Sequence, residues 1–310
     1  MAETNHHQLV IIGSGPAGLS AGLYAARAEL NPQVFTGLVL HGQASLTNDI
    51  ENYPGFPDGI GGEALGALFQ QQAEKFGAVI IYDSIKSVNL QKKPYILDTY
   101  SNSYSADTVI IATGADPKKL NIPGELELTG RGVSYCATCD GWFFKEKEVV
   151  VVGGGDSALE EALFLTRFAK TVTIIHRRDS LRAGALLESR AKKNPKIKFV
   201  WDSVVREIMG DGAVSSVKIQ NVQTNSESSL KCDGIFIFIG HKPNSDLFID
   251  QLEMDEQGYI KVDKKMKTNV PGVFAAGEIA DPHYRQVITS AGMGAAAAIE
   301  ATHYIESLTL

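Results

Sequence analysis

The chain has 310 residues, of which 44% are hydrophobic and 21% charged, a composition typical of a globular protein with a sizeable buried core. Its formal net charge of -7 gives no electrostatic reason to expect nucleic acid or an anionic membrane surface as a partner. Three cysteines are too few for a disulfide framework, and two of them form a Cys-x-x-Cys pair, which favours a redox or metal-binding role in a reducing compartment.

The N-terminal residues Met1–Gln8 contain neither Lys nor Arg and lead into a short apolar run. This pattern matches neither a signal peptide nor a membrane span, so we expect a cytoplasmic protein. No metal site is expected, because one Cys-x-x-Cys supplies only two zinc ligands and neither a second such pair nor a His-x-x-x-His motif follows it.

The first glycine-rich turn follows the apolar run Leu9–Ile12, which predicts a buried parallel strand, and precedes a helix-favouring stretch at 19–29. In a GxGxxG turn the first Gly makes the tight bend, the second lets backbone approach a pyrophosphate, and the third lets helix pack on strand. The turn therefore predicts a dinucleotide site, with a purely structural turn as the alternative. Its residues are Gly13, Gly15, Pro16, Ala17 and Gly18.

The segment 41–62 is rich in turn-forming residues and is either a surface loop or a loop folded over a cofactor. The amides of Gln43 and Asn52 suit the donors and acceptors of a cofactor ring. A second buried strand ends in a small-residue turn that contains Thr113 and Gly114. The composition then changes near residue 117, where we place a domain boundary.

A second glycine-rich turn, GxGxxA, follows the strand-like run Val149–Val152. About 20 residues beyond its second Gly, NAD sites carry an acid and NADP sites an Arg, and here the strand Thr171–Ile175 is followed by a basic cluster. Guanidinium groups pair bidentately with phosphate, so the cluster favours a 2′-phosphate, with a solvated basic patch as the alternative. The predicted NADPH site comprises Gly153, Gly155, Asp156, Ser157, Ala158, His176, Arg177, Arg178 and Arg182.

The last part of the chain again contains a strand that enters a tight turn, as in the N-terminal segment, and this turn contains Gly277 and Glu278. A carboxylate at a strand end could bind sugar hydroxyls. The order of motifs predicts an α/β protein with two doubly wound dinucleotide-binding domains, the second inserted into the first. We expect a discontinuous domain of residues 1–116 and 246–310 and an inserted domain of residues 117–245, joined by two crossings that could form a hinge.

The Cys-x-x-Cys pair lies between the two predicted nucleotide sites. Cys136 and Cys139 can cycle between dithiol and disulfide, because a helix start brings the thiols together and lowers the pKa of one of them. Asp140 directly after the pair could relay a proton. The alternative is that both of these cysteines are purely structural. Cys232 has no partner nearby in the sequence, and for this third cysteine we expect a structural role. A flavin passes electrons between nicotinamide and disulfide, so we expect FAD at the first site and NADPH at the second.

With these motifs, the sequence resembles the low-molecular-weight thioredoxin reductases over nearly its whole length. The matching segments are 13–18, 51–56, 112–114, 136–140, 153–158, 176–182 and 284–286. The resemblance implies an FAD-containing homodimer that reduces thioredoxin with NADPH, and an NADPH domain that rotates. It also implies that Cys139 faces the flavin, that Cys136 attacks the disulfide of thioredoxin, that Asp140 protonates, and that Arg285 and Gln286 lie at the flavin.

Two segments depart from the family pattern. Residues 41–47 read His-Gly-Gln-Ala-Ser-Leu-Thr where the family has Gly-Gly-Gln-Leu and a threonine run, and Glu278 replaces the Asp that binds the ribityl chain. Both departures concern the predicted flavin site. They leave open a thioredoxin reductase-like enzyme with a non-pyridine donor such as ferredoxin, and a flavoprotein sensor without turnover. The basic cluster at Arg177 and Arg178 favours NADPH as the donor.

Overall fold

A computed structural model describes residues 5–47 and 49–308, so the first four residues of the N-terminal segment discussed above lie outside the described part. The chain forms two compact units, one of Met1–Asp116 with Lys242–Leu310 and the other of Pro117–His241. The second crossing lies four residues before the position expected from the sequence. The reason is that Asn244 belongs with the first unit, since its N–H donates to the Gly114 carbonyl at 3.0 Å.

The first unit contains a mixed sheet. Within the described residues its strand order is Val79–Ile81, Gln33–Phe35, Asn5–Ile12, Ser103–Ile111, Tyr95–Asp98 and Ser87–Asn89, with Val273–Ala275 also paired to Ser103–Ile111. The long strand Ser103–Ile111 pairs antiparallel with Tyr95–Asp98 near its start and parallel with Val273–Ala275 near its end. The C-terminal segment therefore completes a sheet begun by the N-terminal segment.

Two helices with many small residues cover one face of this sheet. The helices of the first unit are Pro16–Arg27, Gly62–Lys75 and Val287–Ser307, and a 3-10 turn spans Gln43–Leu46. The first and last of these pack together through a core of alanines that lies on Leu9, Ile11 and Phe274. Alanine and glycine allow this close approach because they carry almost no side chain. The packing places the helix Val287–Ser307 against Ala17 of the first glycine-rich turn.

The second unit, which is described throughout, contains a five-stranded parallel sheet. Its strand order is Ile197–Val200, Thr171–Ile175, Glu148–Val152, Gly234–Ile237 and Val133–Ser134. A three-stranded antiparallel sheet follows, with strands Ser203–Gly210, Val214–Asn221 and Glu227–Lys231, and the helices are Ala137–Asp140, Asp156–Leu165 and Ala185–Lys193. The four valines of Glu148–Val152 are all buried, as a central parallel strand requires. These sheets confirm the predicted α/β class.

We predict opposite effects for two alanine substitutions in the helix Val287–Ser307. A Cβ at Gly294 would run into the backbone of Ala17, so Gly294→Ala should destabilise the protein by about 1–3 kcal/mol. Gly292 is the matched control, because its Cβ would meet nothing within 4 Å, and alanine there should stabilise the helix by up to about 1 kcal/mol. Thermal unfolding of the two variants measures the difference, and equal shifts would contradict the packing of these two helices.

Candidate functional site

The two cysteines of the Cys-x-x-Cys motif form a disulfide across the start of a short helix. Cys136 and Cys139 are partly exposed, and their Cα atoms lie 5.3 Å apart. Cys136 is the N-cap of the helix Ala137–Asp140, and its Sγ accepts the backbone N–H of Cys139 at 3.1 Å. An N–H aimed at sulfur stabilises a thiolate more than a thiol. In the reduced protein Cys136 is therefore the better placed nucleophile of the two.

Asp140 closes the same helical turn. Its Oδ2 accepts the hydroxyl of Ser134 at 2.6 Å. Burial raises the pKa of Asp140 above the ordinary value, and the hydrogen bond from Ser134 opposes that shift. A carboxyl whose proton is held more firmly than usual suits general acid and base work beside a thiol. The sequence identified Asp140, whereas Ser134 was missed, although its place two residues before the first cysteine offered a signal.

Two aromatic side chains follow the disulfide, and the sequence analysis missed both. Trp142 and Phe143 are 55% and 41% exposed, directly after the helix that carries the cysteines. The Trp142 ring meets the edge of Phe168 at 5.8 Å between centroids, and Lys145 lies 5.3 Å from its centroid. Aromatic side chains are enriched at protein interfaces relative to the rest of the surface. Their position beside a redox-active pair was readable from the Cys-Asp-Gly-Trp-Phe run.

The second unit presents an open turn between its strand Glu148–Val152 and the helix Asp156–Leu165. Gly153 has a φ of +153°, and a Cβ there would lie 2.6 Å from the Cβ of Ala158. Gly155 caps the helix, and a Cβ on it would meet nothing within 4 Å in this fully described unit. The helix N-terminus is thus left accessible to an anion, as a pyrophosphate site needs.

The basic loop lies against that turn and is tied to it at two points. Arg182 N–H donates to the Gly154 carbonyl at 2.8 Å, and Gly184 N–H donates to the Asp156 carboxylate at 2.7 Å. The side chains of Arg177, Arg178 and Arg182 are exposed, as are those of Asp156 and Ser157. The predicted residues of this unit are therefore neighbours, and the loop presents three guanidinium groups to solvent beside the helix start.

His176 differs from the arginines that follow it. Its ring is buried and packs over Gly154, where even a Cβ would collide with the imidazole. Burial lowers its pKa, and the neighbouring arginines lower it further, while a hydrogen bond to the Ser180 backbone opposes both. His176 is therefore a neutral packing residue that supports the glycine turn, rather than a cation available to a phosphate.

The glycine-rich turn of the first unit is the tighter of the two. Gly13 has a φ of +111° and its N–H donates to the Phe35 carbonyl at 2.8 Å. A Cβ at Gly18 would meet the Gly13 carbonyl, which explains the third Gly of the motif. Gly15 caps the helix Pro16–Arg27, and no side-chain hydrogen bond to this cap exists among the described residues. The first amides of that helix can therefore bind an anion.

The loop that departs from the family pattern packs directly on this turn. A Cβ at Gly42 would lie 2.9 Å from the Gly15 Cα, and the His41 N–H donates to the Ser14 hydroxyl at 3.2 Å. The buried imidazole of His41 donates through Nε2 to the Gln70 amide oxygen at 2.9 Å. Its ring occupies the space that Gly66 leaves on the helix Gly62–Lys75. His41 therefore joins the loop to a helix.

A polar cluster lies among the predicted flavin residues of the first unit. Burial raises the pKa of Glu278 to about 7, Arg285 opposes that shift, and the carboxylates of Asp281 and Asp116 add to it. Arg285 has a φ of +51°, and its buried Nε makes no hydrogen bond within the described residues. Such a half-satisfied donor next to a buried carboxyl suits a bound polar group.

The remaining predicted residues are engaged with one another or with neighbours. Asn52 donates to the Gln286 side chain at 3.0 Å, which unites two of them. Gln43 instead donates to Asp116 at 2.6 Å, a residue that the sequence analysis did not select. Thr113 donates to the Asn244 carbonyl at 2.9 Å. Gly114 and Gly277 take positive φ values of 69° and 79°, as their turns require.

The two units offer different chemistry beside their glycine turns. The first combines an accessible helix start with the buried Glu278 carboxyl and the Arg285 Nε, which suit a flavin dinucleotide with its sugar-like hydroxyls. The second combines an accessible helix start with exposed guanidinium groups, which suit a nucleotide that carries an additional phosphate.

Within the described residues, no helix is both long and apolar enough to span a membrane.

Comparisons with known proteins give one consistent result. The family described as pyridine nucleotide-disulphide oxidoreductase matches residues 7–294. Thioredoxin reductase of Streptomyces coelicolor is 50% identical over 97% of this chain and 94% of its own, and that of Rickettsia bellii is 51% identical over 96% and 98%. The crystal structure of thioredoxin reductase from Streptococcus pyogenes superposes with a TM-score of 0.93 at 45% identity, covering 98% of this chain and 100% of that one.

The contact between His41 and Gly66 predicts a compensating pair of substitutions. Gly66→Ala would place a Cβ against the imidazole, with Nδ1 at 3.0 Å, and should destabilise the protein by about 1–3 kcal/mol. In a His41→Gly background the same alanine meets no ring and should stabilise the helix by up to about 1 kcal/mol. Thermal unfolding of the two single variants, the double variant and the parent gives the coupling. Additive effects would show that the ring does not occupy this position.

Proposed function

This chain belongs to the thioredoxin reductase family of pyridine nucleotide-disulphide oxidoreductases, and from that membership we propose that it is an NADPH-dependent thioredoxin reductase. The observation that carries the proposal is the Cys136–Cys139 disulfide, partly exposed and adjacent to Asp140, in a chain with two nucleotide-type glycine turns. Electrons would pass from NADPH through FAD to this disulfide and on to thioredoxin. The family supports a flavin and a pyridine nucleotide as cofactors.

The cofactor assignment follows the two units. We assign FAD to the unit of Met1–Asp116 and Lys242–Leu310, and NADPH to the unit Pro117–His241. FAD, when bound, supplies the step that converts a hydride into electrons for a disulfide. The residues proposed for FAD are Gly13, Gly15, Pro16, Ala17, Gly18, Gln43, Asn52, Thr113, Gly114, Gly277, Glu278, Arg285 and Gln286. Those proposed for NADPH are Gly153, Gly155, Asp156, Ser157, Ala158, Arg177, Arg178 and Arg182, with His176 as their support.

The reduced pair performs thiol–disulfide exchange with thioredoxin. The Cys136 thiolate, stabilised by the Cys139 N–H, attacks one sulfur of the thioredoxin disulfide and forms a mixed disulfide. The departing thiolate takes a proton from Asp140. The Asp140 carboxylate then takes the proton of Cys139, and the Cys139 thiolate attacks the Cys136 sulfur of the mixed disulfide. This restores the Cys136–Cys139 disulfide and expels the second thioredoxin sulfur as a thiolate, which takes that proton from Asp140. Two electrons and two protons leave the enzyme in each cycle.

The surface around the disulfide supports a protein substrate. Trp142 and Phe143 offer an exposed aromatic patch that follows directly on the redox helix. We propose that thioredoxin covers this patch, which would remove apolar area from water while the sulfurs approach. A cytoplasmic location is proposed because NADPH-driven disulfide reduction suits a reducing compartment. A homodimer is proposed from family membership alone.

The exposed basic loop supports NADPH over a non-pyridine donor. The departures at His41 and Glu278 lie in the other unit, so they do not alter the residues that would hold the 2′-phosphate. The loop is tied to the glycine turn through Arg182 and Asp156, which keeps its guanidinium groups beside the helix start where a nucleotide phosphate would bind. A ferredoxin-type donor is therefore the second choice.

Removing two guanidinium groups should change cofactor preference. Arg177→Ala combined with Arg178→Ala should raise the KM for NADPH by at least about 100-fold, because two charge-assisted hydrogen bonds are lost and each is worth about 1.5–3 kcal/mol. The KM for NADH should stay within about twofold, since NADH lacks the phosphate. Arg190→Ala, an exposed arginine in the helix Ala185–Lys193, serves as the matched control. An unchanged NADPH/NADH preference would refute the assigned 2′-phosphate site.

Serine substitutions at the three cysteines should have different effects on thioredoxin reduction. Cys136→Ser and Cys139→Ser should each lower thioredoxin reduction by more than about 10³-fold, because each removes a sulfur that must form a covalent bond. Cys232→Ser is the control, since Cys232 is buried and burial raises its thiol pKa to about 12, so it takes no part in exchange. Insulin-coupled thioredoxin turnover measures all three. Near-parent activity of Cys136→Ser or Cys139→Ser would overturn the proposed function.

A further inference from the structure

The hydroxyl of Ser134 joins the proton-transfer residue to the backbone of the first redox cysteine. Ser134 is 4% exposed and ends the strand Val133–Ser134. Its Oγ lies 2.6 Å from the Asp140 Oδ2, 3.1 Å from the Cys136 nitrogen and 3.2 Å from the Cys136 carbonyl oxygen.

The three contacts match the capacity of a serine hydroxyl, which donates one hydrogen bond and accepts two. When Asp140 is ionised it has no hydrogen to give, so the hydroxyl donates to Oδ2 and accepts from the Cys136 N–H. When Asp140 carries a proton, that proton is donated to Oγ instead. The hydroxyl hydrogen then turns to the Cys136 carbonyl, and the N–H contact is unchanged. In the ionised state the Cys136 carbonyl receives no hydrogen from Ser134, but it still accepts the backbone N–H of Asp140 at 3.1 Å.

We propose that Ser134 is a positioning residue that holds Asp140 in one place beside the redox cysteines in both of its protonation states. The proposal rests on the proposed function, because it takes Asp140 to donate and recover a proton during thiol–disulfide exchange. A carboxyl that lost its partner on protonation would be free to rotate away. Ser134 prevents this by exchanging the roles of donor and acceptor without moving its oxygen.

The other ionisable groups near the turn lie on neighbouring segments of the same unit. The helix Asp156–Leu165 packs against the redox helix, and its Glu161 accepts the Ala137 N–H at 3.1 Å. Its remaining acids, Asp156 and Glu160, are exposed. The turn Gly141–Phe144 has no titratable side chain. Tyr135 and Glu125 hydrogen-bond to each other at 2.9 Å.

The test is a double-mutant cycle with Ser134→Ala, Asp140→Asn and both together. The rate of thioredoxin reduction is measured from about pH 5 to about pH 9, with reduced and oxidised thioredoxin followed directly. Ser134→Ala should lower kcat about tenfold and move the pH limb that depends on Asp140 upward by about one unit, because the carboxylate loses its donor. In the Asp140→Asn background the same substitution should change neither the rate nor the profile by more than about twofold.

Three results would overturn the proposal. Ser134→Ala could keep the parent pH profile, or it could lower the rate equally in both backgrounds, as a purely structural residue would. The third result is an unchanged kcat at every pH. Flavin reduction by NADPH, measured on the same samples, should stay at the parent rate and reports the integrity of the nucleotide sites. Absence of thioredoxin reduction by the parent protein would refute the proposed function itself, and the positioning role with it.

Discussion

The close approach of a helix start to the strand before it is the constraint on which both nucleotide-type turns depend. At Gly13 and Gly153 the backbone takes positive φ values, and at each turn a third small residue, Gly18 or Ala158, lies against the first. A larger side chain would push the helix away and fill the space at its N-terminus. Glycine at Gly15 then leaves the helix amides accessible. The same geometry occurs twice in the chain, once in each unit.

The redox centre likewise depends on an arrangement of residues that lie close together in the chain. A single helical turn brings the two sulfurs together, directs an N–H at Cys136, and places a carboxyl at its end. Burial of that carboxyl favours its protonated form, while Ser134 favours the ionised form. Burial is the larger of these two effects, so the pKa of Asp140 lies above its ordinary value. Proton transfer and thiol exchange therefore depend on one short segment of the chain, from Ser134 to Asp140.

Motifs formed by residues close together in the chain could be predicted from the sequence, because their spacing alone determines them. The strand before Gly13, the redox helix after Cys136 and the basic loop after Ile175 were all predicted from patterns and lie in the predicted context. Contacts between distant segments could not be predicted. No local pattern indicated that Gln43 would donate to Asp116 across 73 residues, that His41 would fill the space over Gly66, or that Asn244 would join the first unit. These depend on how the sheet and helices pack.

The most direct test of the account is a thiol count under anaerobic conditions, before and after addition of NADPH to the purified flavoprotein. The chain has three cysteines, of which Cys136 and Cys139 form the disulfide and Cys232 is free. In denatured protein, we expect one reactive thiol before the addition of NADPH and three after it, and we expect NADH to be much less effective. A count that stays at one with NADPH and rises to three with dithionite would contradict NADPH as the electron donor.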